Sequence, residues 1–288
     1  MERFYQARVD RVIDYIQSHI SEPLNVSQIA SLAYFSEFHF NRVFRERTGE
    51  SLYHFIRRLR LEKAAFLLSS DNTSITDVAL DCGFSNSASF AKGFKQYFGC
   101  SASQWVENYS QQQEKLSKLL AKLSPEPLDS PVDIENCPPI NIAYVRNIGN
   151  YVADSQLFTN LYNQLIEWAE PNGIALSPGY NLYHDNRFIT DEQNLRVMVG
   201  LEVPDHIQPQ GGIGTFKLSG GKYAVRQYYL RDDEFSEAWD WMIGVWLPQS
   251  GFVMDAERES MERCLGETCH QGHQFYQVEI CVPVKVAK

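Results

Sequence analysis

The front of the sequence repeats itself, and this repeat limits the possible folds more than any other feature. FNRVFRERTG (residues 40–49) aligns with FAKGFKQYFG (90–99) at a displacement of 50 residues. Upstream, VSQIASLAYFS (26–36) aligns with ITDVALDCGFS (75–85) at a displacement of 49, and a one-residue insertion reconciles the two offsets. A self-similar period of this length indicates that one supersecondary unit occurs twice.

Each copy has the pattern of a short helix, a tight turn and a longer helix. In the first copy, Ser27 and Ser36 are expected to cap the two helices. In the second, SITD (residues 74–77) fits a capping box. Three glycines, Gly49, Gly83 and Gly99, are predicted at the ends of the longer helices and in the second turn. This is the pattern of a helix-turn-helix.

Further helices flank the two copies. Residues 4–20 place Val9, Val12, Ile13 and Ile16 on one face and precede Pro23. Between the copies, SLYHFIRRLRLEKAAFLLSS contains neither Gly nor Pro. A helix of roughly 18 residues would form a rod of about 27 Å. Major grooves on one side of DNA recur every ~34 Å, so one chain could place two helices in adjacent grooves as a monomer.

A helix-turn-helix shape in a helical region often reflects packing alone. Here the two copies carry basic residues at matching positions, Arg42 with Lys92 and Arg45 with Lys95, which favours DNA binding. Residues 10–108, including FSEFHFNRVFRERTGESLYHFIRRLRLEKAAFLL and ITDVALDCGFSNSASFAKGFKQYFGCSASQW, resemble the DNA-binding domain of the AraC/XylS transcription regulators. The resemblance implies an all-α domain with two helix-turn-helix units joined by a long helix.

The resemblance also implies which residues contact DNA. Arg42 can reach guanine O6 and N7, Asn41 can pair with adenine, and Phe38 can touch a thymine methyl group. Arg45 and Lys95 are better placed for phosphates. In the second unit the base-reading positions fall on Ser87, Ala88, Ser89 and Lys92. Three of these side chains are short, so we expect specificity to depend mainly on Arg42 and Asn41. Arg47, beside them in the sequence, also looks like a surface residue.

Charge separates the rest of the chain from this region. Residues 1–110 carry 12 Lys+Arg and 12 Asp+Glu, so residues 111–288 hold the other 26 − 12 = 14 basic and 36 − 12 = 24 acidic residues. The net charge of −10 therefore belongs to the second part. QQQEKLSKLLAKLSPEPLDSP ends in proline-rich sequence, which predicts a linker over 111–131 between domains 1–110 and 132–288.

Beyond residue 132 the pattern changes to strands. INIAYVRNIG, LRVMVGLEV, GTFKLSGGKYAVRQYYL and QFYQVEICVPVKV are rich in β-branched and aromatic residues. SQLFTNLYNQLIEWAE and EFSEAWDWMIGVWL have helical patterns, so two related βαββ halves of an α+β domain are predicted. Gly220–Gly221 is expected to form the turn of a hairpin.

This region resembles the gyrase-inhibitor-like effector-binding domain, through Ala143–Tyr144, Gly149, YHDN (183–186), LSGGKYAV and the final VPVK. The resemblance implies a cleft that binds small organic, often cationic molecules, with Glu262 as the carboxylate. An aromatic pocket around a carboxylate suits a cation. Candidate wall residues are Tyr144, Trp168, Tyr183, Trp239 and Trp241. Two alternatives stay open: these aromatic residues belong to the core, and Glu262, within ERESMER, lies on a solvated surface.

Other features point to a reduced, intracellular protein. No apolar run of about 18 residues and no leader pattern is present, so we expect a cytoplasmic protein that does not enter a membrane. The six cysteines are scattered, as is typical of reduced thiols. Cys264, Cys269, His270 and His273 are zinc-type ligands, but Cys-x4-Cys-His is not a usual finger spacing, so a metal site is left open. No cofactor is expected.

Three functions follow from these patterns. The first is a non-enzymatic transcription regulator, an activator by expectation, that binds double-stranded DNA, contacts RNA polymerase and responds to a small-molecule effector. The second keeps DNA binding but makes the C-terminal domain a protein-contact module. The third gives that domain hydrolase activity with Glu262 as general base, although no set of nucleophile, base and orienting residue is visible.

Overall fold

A computed structural model describes residues 3–70, 74–109, 111, 115, 131–207, 212–270 and 273–287. The chain divides into two compact units. The first comprises Met1–Gln112 with the short segments Asn186–Asn194 and Gln210–Gly214, and the second comprises Gln113–Asp185, Leu195–Pro209 and Thr215–Lys288. Each unit has its own apolar core.

The first helix-turn-helix unit is a three-helix bundle of α1 (Arg3–Ser18), α2 (Val26–Leu32) and α3 (Glu37–Thr48). The predicted apolar face of α1 is fully buried at Val9, Val12, Ile13 and Ile16. It meets Ile29 and Ala30 of α2 and the inward side of α3, Phe40, Val43 and Phe44. The prediction of a helix-turn-helix core is confirmed.

The linking rod is α4 (Leu52–Ser70), 19 residues long, and it is followed by α5 (Ile75–Asp81), α6 (Ser87–Phe98) and α7 (102–109). The beginning of α4 packs on the first unit, where Phe55 stands edge-on to Phe44 at 5.2 Å. The second half of α4 contributes Leu61, Ala64, Ala65 and Leu68 to the core of the second helix-turn-helix unit. One continuous helix therefore belongs to both cores.

Most, but not all, of the predicted helix ends are correct. Ser36 accepts a hydrogen bond from the His39 N–H, and Gly49, Gly83 and Gly99 have φ of 79°, 80° and 75°, which favours glycine. The prediction for Ser27 is wrong because Asn25 caps α2, accepting from the Ser27 N–H. Ser74 occupies the cap position of α5, but its side chain makes no capping hydrogen bond.

The second compact unit of the chain, which follows the two helix-turn-helix units, is built on one sheet, in which nine strands are seen within the described ranges. Its strands run in the order β1-β6-β9-β8-β3-β4-β2-β5, with β7 beside β9. Each half supplies two strands, a helix and then further strands, two in the first half and three in the second, where the short β7 precedes β8 and β9. β8 pairs with β3 where the halves meet. The two βαββ halves are confirmed. The strands are β1 (Asp133–Cys137), β2 (Ile140–Ile148), β3 (Gly179–Tyr183), β4 (Arg196–Glu202), β5 (Gly214–Leu218), β6 (Gly221–Leu230), β7 (Phe252–Met254), β8 (Ser260–His270) and β9 (His273–Val286).

The predicted hairpin at Gly220–Gly221 is wrong. β5 lies beside β2 and β6 lies between β1 and β9, so the first strand of each half sits on the edge of the other half. Gly220 lies where the chain crosses the β1–β2 connection. A Cβ there would be 2.6 Å from the Pro139 nitrogen, so glycine is needed for close backbone approach and not for a two-residue turn.

Two main helices accompany the sheet. α8 (Ser155–Ala169) begins at Asp154, whose carboxylate accepts from the Leu157 N–H. α9 (Phe235–Trp241) continues into a π-helical turn, Met242–Trp246. Ala238 and Met242 pack with Ile280 and Val278 on one face of the sheet, while Tyr144, Leu182 and Met261 share a separate core. None of the helices in the described ranges combines the length and apolar character needed to cross a membrane.

Candidate functional site

The exposed side of α3 carries the predicted DNA-reading residues of the first unit. Phe38 is 85% exposed although it is an apolar residue, while Phe40, two positions on, is fully buried. Asn41, Arg42 and Arg45 are exposed on the same helix. Arg42 lies 3.9 Å from Glu46 and 3.4 Å from the His39 ring, contacts that water or DNA can replace.

The equivalent side of α6 begins with short side chains and carries two lysines further along the helix. Ser87, Ala88, Ser89, Lys92 and Lys95 are all exposed, and Phe90, Gly93 and Phe94 form the buried side. Asn86 caps the helix by accepting from the Ser89 N–H at 2.8 Å, a role the sequence pattern did not reveal. The helix therefore presents free backbone N–H groups and two lysines, which suits phosphate contacts.

Two side chains of α3 are held by the protein itself. Arg47 donates two hydrogen bonds to Asp10, at 3.2 and 3.3 Å, and only 15% of its side chain is exposed. Arg47 therefore fixes α3 to α1, and its expected surface position is corrected. The Asn41 amide donates one hydrogen bond to the Glu37 carbonyl at 3.0 Å, which orients it, and the amide also has a second N–H and an acceptor oxygen with which to pair with a base.

The second compact unit, which contains the sheet, has a buried carboxylate. Glu262 lies on β8, is 1% exposed and accepts three hydrogen bonds, so its alternative as a solvated surface residue is wrong. Asn181 Nδ2 donates at 2.8 Å and Tyr183 Oη at 2.9 Å to Oε2, and Trp239 Nε1 donates at 2.7 Å to Oε1. All three donors are neutral. Burial raises the pKa of Glu262, and the three hydrogen bonds oppose that rise.

A second layer of hydrogen bonds holds the donors in place. Tyr162 on α8 donates to Asn181 Oδ1 at 3.0 Å, which leaves the Asn181 NH2 group facing Glu262. A Cβ at residue 179 would be 2.7 Å from the Tyr162 hydroxyl, so Gly179 makes room for this ring. Neither Asn181 nor Tyr162 stood out in the sequence. They could be found only from the pairing of β3 with β8.

Aromatic rings surround one side of the carboxylate. Tyr183 stands edge-on to Trp239 at 5.5 Å and lies 5.4 Å from Tyr151. Burial and the nearby charge of Glu262 raise the pKa of Tyr183 well above its ordinary value, so its hydroxyl remains a donor. Glu262, Tyr183 and Trp239, three of the predicted ligand residues, therefore meet in one cluster.

The other three predicted wall residues lie elsewhere in the unit. Tyr144 is 1% exposed and packs with Leu182 and Met261, which alternate with the residues of the carboxylate cluster and point to the opposite face of the sheet. Trp168 is half-buried on α8 and makes no hydrogen bond or ring contact with the cluster among the described residues. Trp241 stacks under the Arg226 guanidinium, with 4.1 Å from Cζ to the ring centroid.

Most of the candidate zinc ligands lie outside the described side chains. Those of Cys269, His270 and His273 are not described, while Cys264 lies beside Asn181 at 3.6 Å. Within the described residues, no group of three or more His, Cys, Asp or Glu side chains is arranged to hold a metal ion.

Two sequence families match the chain. The profile of the GyrI-like small molecule binding domain matches residues 130–285, more than half of the chain. A helix-turn-helix domain profile of the AraC type matches residues 6–108.

Individual relatives match this chain over about a third of its length, and their names are those of helix-turn-helix regulators. An HTH-type transcriptional regulator of Staphylococcus aureus (strain COL), uncharacterized, is 39% identical over 90 residues, which are 31% of this chain and 12% of that protein. YbfP of Bacillus subtilis (strain 168), another uncharacterized HTH-type transcriptional regulator, is 34% identical over 95 residues, 33% of this chain and 32% of that protein. The chain thus spans a third or less of these relatives. The crystal structure of the DNA-binding domain of AdpA with a target DNA covers 37% of this chain and 96% of its own, at 26% identity and a TM-score of 0.36.

Proposed function

Since the chain belongs to the GyrI-like small molecule binding family and carries an AraC-type helix-turn-helix domain, we propose that it is a transcription regulator controlled by a small organic cation. Glu262 is the observation on which this proposal rests. No lysine, arginine or histidine of the described residues forms an ion pair with it, and its contacts are all with neutral donors. A buried carboxylate of this kind favours a ligand that supplies the missing positive charge.

The hydrogen bonds around Glu262 narrow the class of cation. A carboxylate has about four acceptor positions, and three are already filled. A ligand can therefore donate at most one hydrogen bond to it. A primary ammonium or a guanidinium would leave buried N–H groups without acceptors, which costs about 1–3 kcal/mol for each group. A quaternary ammonium, or a tertiary amine with one N–H, pairs its charge with the carboxylate and its alkyl groups with the Tyr183 and Trp239 rings.

Calorimetry of the full chain with matched aromatic probes tests this proposal. Benzyltrimethylammonium carries the quaternary charge, neopentylbenzene is its neutral carbon isostere, and benzylamine carries three N–H groups. We expect the quaternary cation to bind at least about tenfold more tightly than either of the others. Equal binding of the neutral isostere, or no binding by a panel of aromatic quaternary ammonium ions, would refute the cation assignment.

The hydrolase alternative has less support. Three of the four acceptor positions of Glu262 are already filled by protein donors, so at most one position remains through which it could take a proton from water. The family and the names of the relatives indicate a regulator. We therefore propose a cytoplasmic, non-enzymatic activator that binds DNA as a monomer and contacts RNA polymerase. A gel-shift at two salt concentrations tests DNA binding, since phosphate contacts require affinity to fall with salt.

A further inference from the structure

We propose that Arg60, near the middle of α4, is a positioning residue that sets the geometry between the two DNA-reading helices. Its guanidinium donates to the Ile20 carbonyl at 2.8 Å and the Glu22 carbonyl at 2.6 Å, in the segment between α1 and α2 of the first helix-turn-helix unit. A third N–H donates to the Gly83 carbonyl at 2.8 Å, in the turn of the second helix-turn-helix unit. One side chain therefore bonds to both units from the helix that links them.

The chemistry of the clamp requires arginine. Three N–H groups on one rigid plane meet three carbonyl oxygens that belong to separated segments. A lysine carries the same charge, but its donors radiate from one nitrogen and cannot span these positions. The acceptors are main-chain carbonyls, so small rotations of either helix-turn-helix unit about α4 would break the hydrogen bonds.

The repeat supplies an internal comparison. The residue equivalent to Gly83 in the first unit is Tyr34, which adopts φ of 56° without being glycine. A left-handed turn at this position therefore tolerates a side chain. At Gly83 a Cβ would be 2.9 Å from the Arg60 Cζ, so a side chain in the second helix-turn-helix unit would displace the guanidinium, and glycine leaves it in place. One position at which the two copies differ is therefore the position against which Arg60 packs.

The other α4 arginines do not make this bridge. Arg57 donates to Gln96 on α6 at 3.1 Å, within the second unit, and provides a matched control on the same helix. Arg58 binds Glu50 and Glu62 and is 4% exposed, so replacing it would disturb the core.

DNA binding by half-sites provides the test, and it depends on both helices reading DNA. A composite site is selected from random DNA with the wild-type chain, and Kd is measured for this site, for a version with two base pairs inserted between half-sites, and for each half-site alone. We expect the insertion to weaken wild-type binding at least about tenfold, because a rigid pair of binding modules loses simultaneous contact. Arg60→Ala and Arg60→Lys should reduce that penalty below about threefold and leave single half-site affinities unchanged, whereas Arg57→Ala should keep it.

Several results would overturn the proposal. They are a wild-type protein indifferent to spacing, an unchanged penalty in both Arg60 variants, and an equal loss of affinity for single and composite sites. A second measurement does not need DNA: nitroxide labels on keto amino acids at the exposed positions Glu46 and Ala91 report the distance between α3 and α6. Arg60→Lys should broaden this distance distribution, and an unchanged distribution would contradict the clamp even if no DNA site is found.

Discussion

Replacing Glu262 by glutamine removes the charge of the proposed ligand site and nearly preserves the shape of the side chain. Glutamine offers one acceptor oxygen where the carboxylate offers two, yet Asn181, Tyr183 and Trp239 all donate to this group. Loss of one partner of a buried charge pair costs about 2–5 kcal/mol, so benzyltrimethylammonium should bind the variant about 30-fold to several thousand-fold more weakly.

The same substitution changes how stability depends on pH. Burial raises the folded-state pKa of Glu262 above its ordinary value of 4.5, so the unfolded chain releases this proton first as pH rises. The contribution of Glu262 to the free energy of unfolding therefore declines from about that ordinary value until the folded-state pKa is passed. The variant lacks this decline. Its unfolding free energy minus that of the wild type should rise with pH through that window and then level off.

Urea denaturation followed by tryptophan fluorescence, from pH 4.5 to 8, measures this difference, and calorimetry measures the affinity. Glu237→Gln is the matched control because Glu237 is an exposed carboxylate on α9, the helix that supplies Trp239. It should change cation affinity less than about twofold. A pH-independent difference in stability, or equal ligand binding by wild type and Glu262→Gln, would contradict the role assigned to the buried charge.

Three further predictions test separate parts of the molecule. Trp239→Phe removes one donor from the carboxylate, so by competition calorimetry the preference for benzyltrimethylammonium over benzylamine should shrink; an unchanged preference would contradict the count of acceptor positions. Arg42→Ala should cost about 1–3 kcal/mol and relax one base position in a binding selection, whereas Arg45→Ala should weaken all sequences equally and lower the salt slope by about one; equal losses on every sequence for both would remove the base-reading role. Gly49→Ala meets open space and should cost about 1 kcal/mol from its left-handed φ alone, whereas Gly83→Ala adds a side-chain collision and should cost more in thermal denaturation; equal costs would contradict the collision.

The DNA-binding unit could be predicted from the sequence because its contacts are local and repeated. The second copy showed which positions of α3 are structural: Phe40 and Phe44 recur as Phe90 and Phe94, and all four are buried. Local sequence gave less at the helix starts. Asn25 caps α2 in place of Ser27, and the two lie two positions apart and are both of residue types that cap helices well, so composition alone does not distinguish them.

The pairing of β5 and β6 could not be predicted from local sequence, because at this point each half contributes a strand to the edge of the other half. The run Gly214–Leu230 has the composition of a hairpin, with two glycines between two strands. Yet β5 pairs with β2 and β6 with β1 and β9, which depends on the contacts of both halves. The same limit applies to β8, where ERESMER has a charged, surface-like composition although the last of its three carboxylates, Glu262, is buried.

The register of the central strands explains which of the candidate ligand residues lie beside Glu262. Glu262 lies opposite Asn181, 81 residues earlier, and Asn181 lies opposite Val199, which in turn lies opposite Val145. Neighbouring side chains along a strand point to opposite faces, so Tyr144 must face away from Glu262 once this row is known. Tyr183 keeps the parity of Asn181 and therefore reaches the carboxylate. Aromatic composition alone treats Tyr144 and Tyr183 alike, and only the register across β2, β4, β3 and β8 assigns them to different faces.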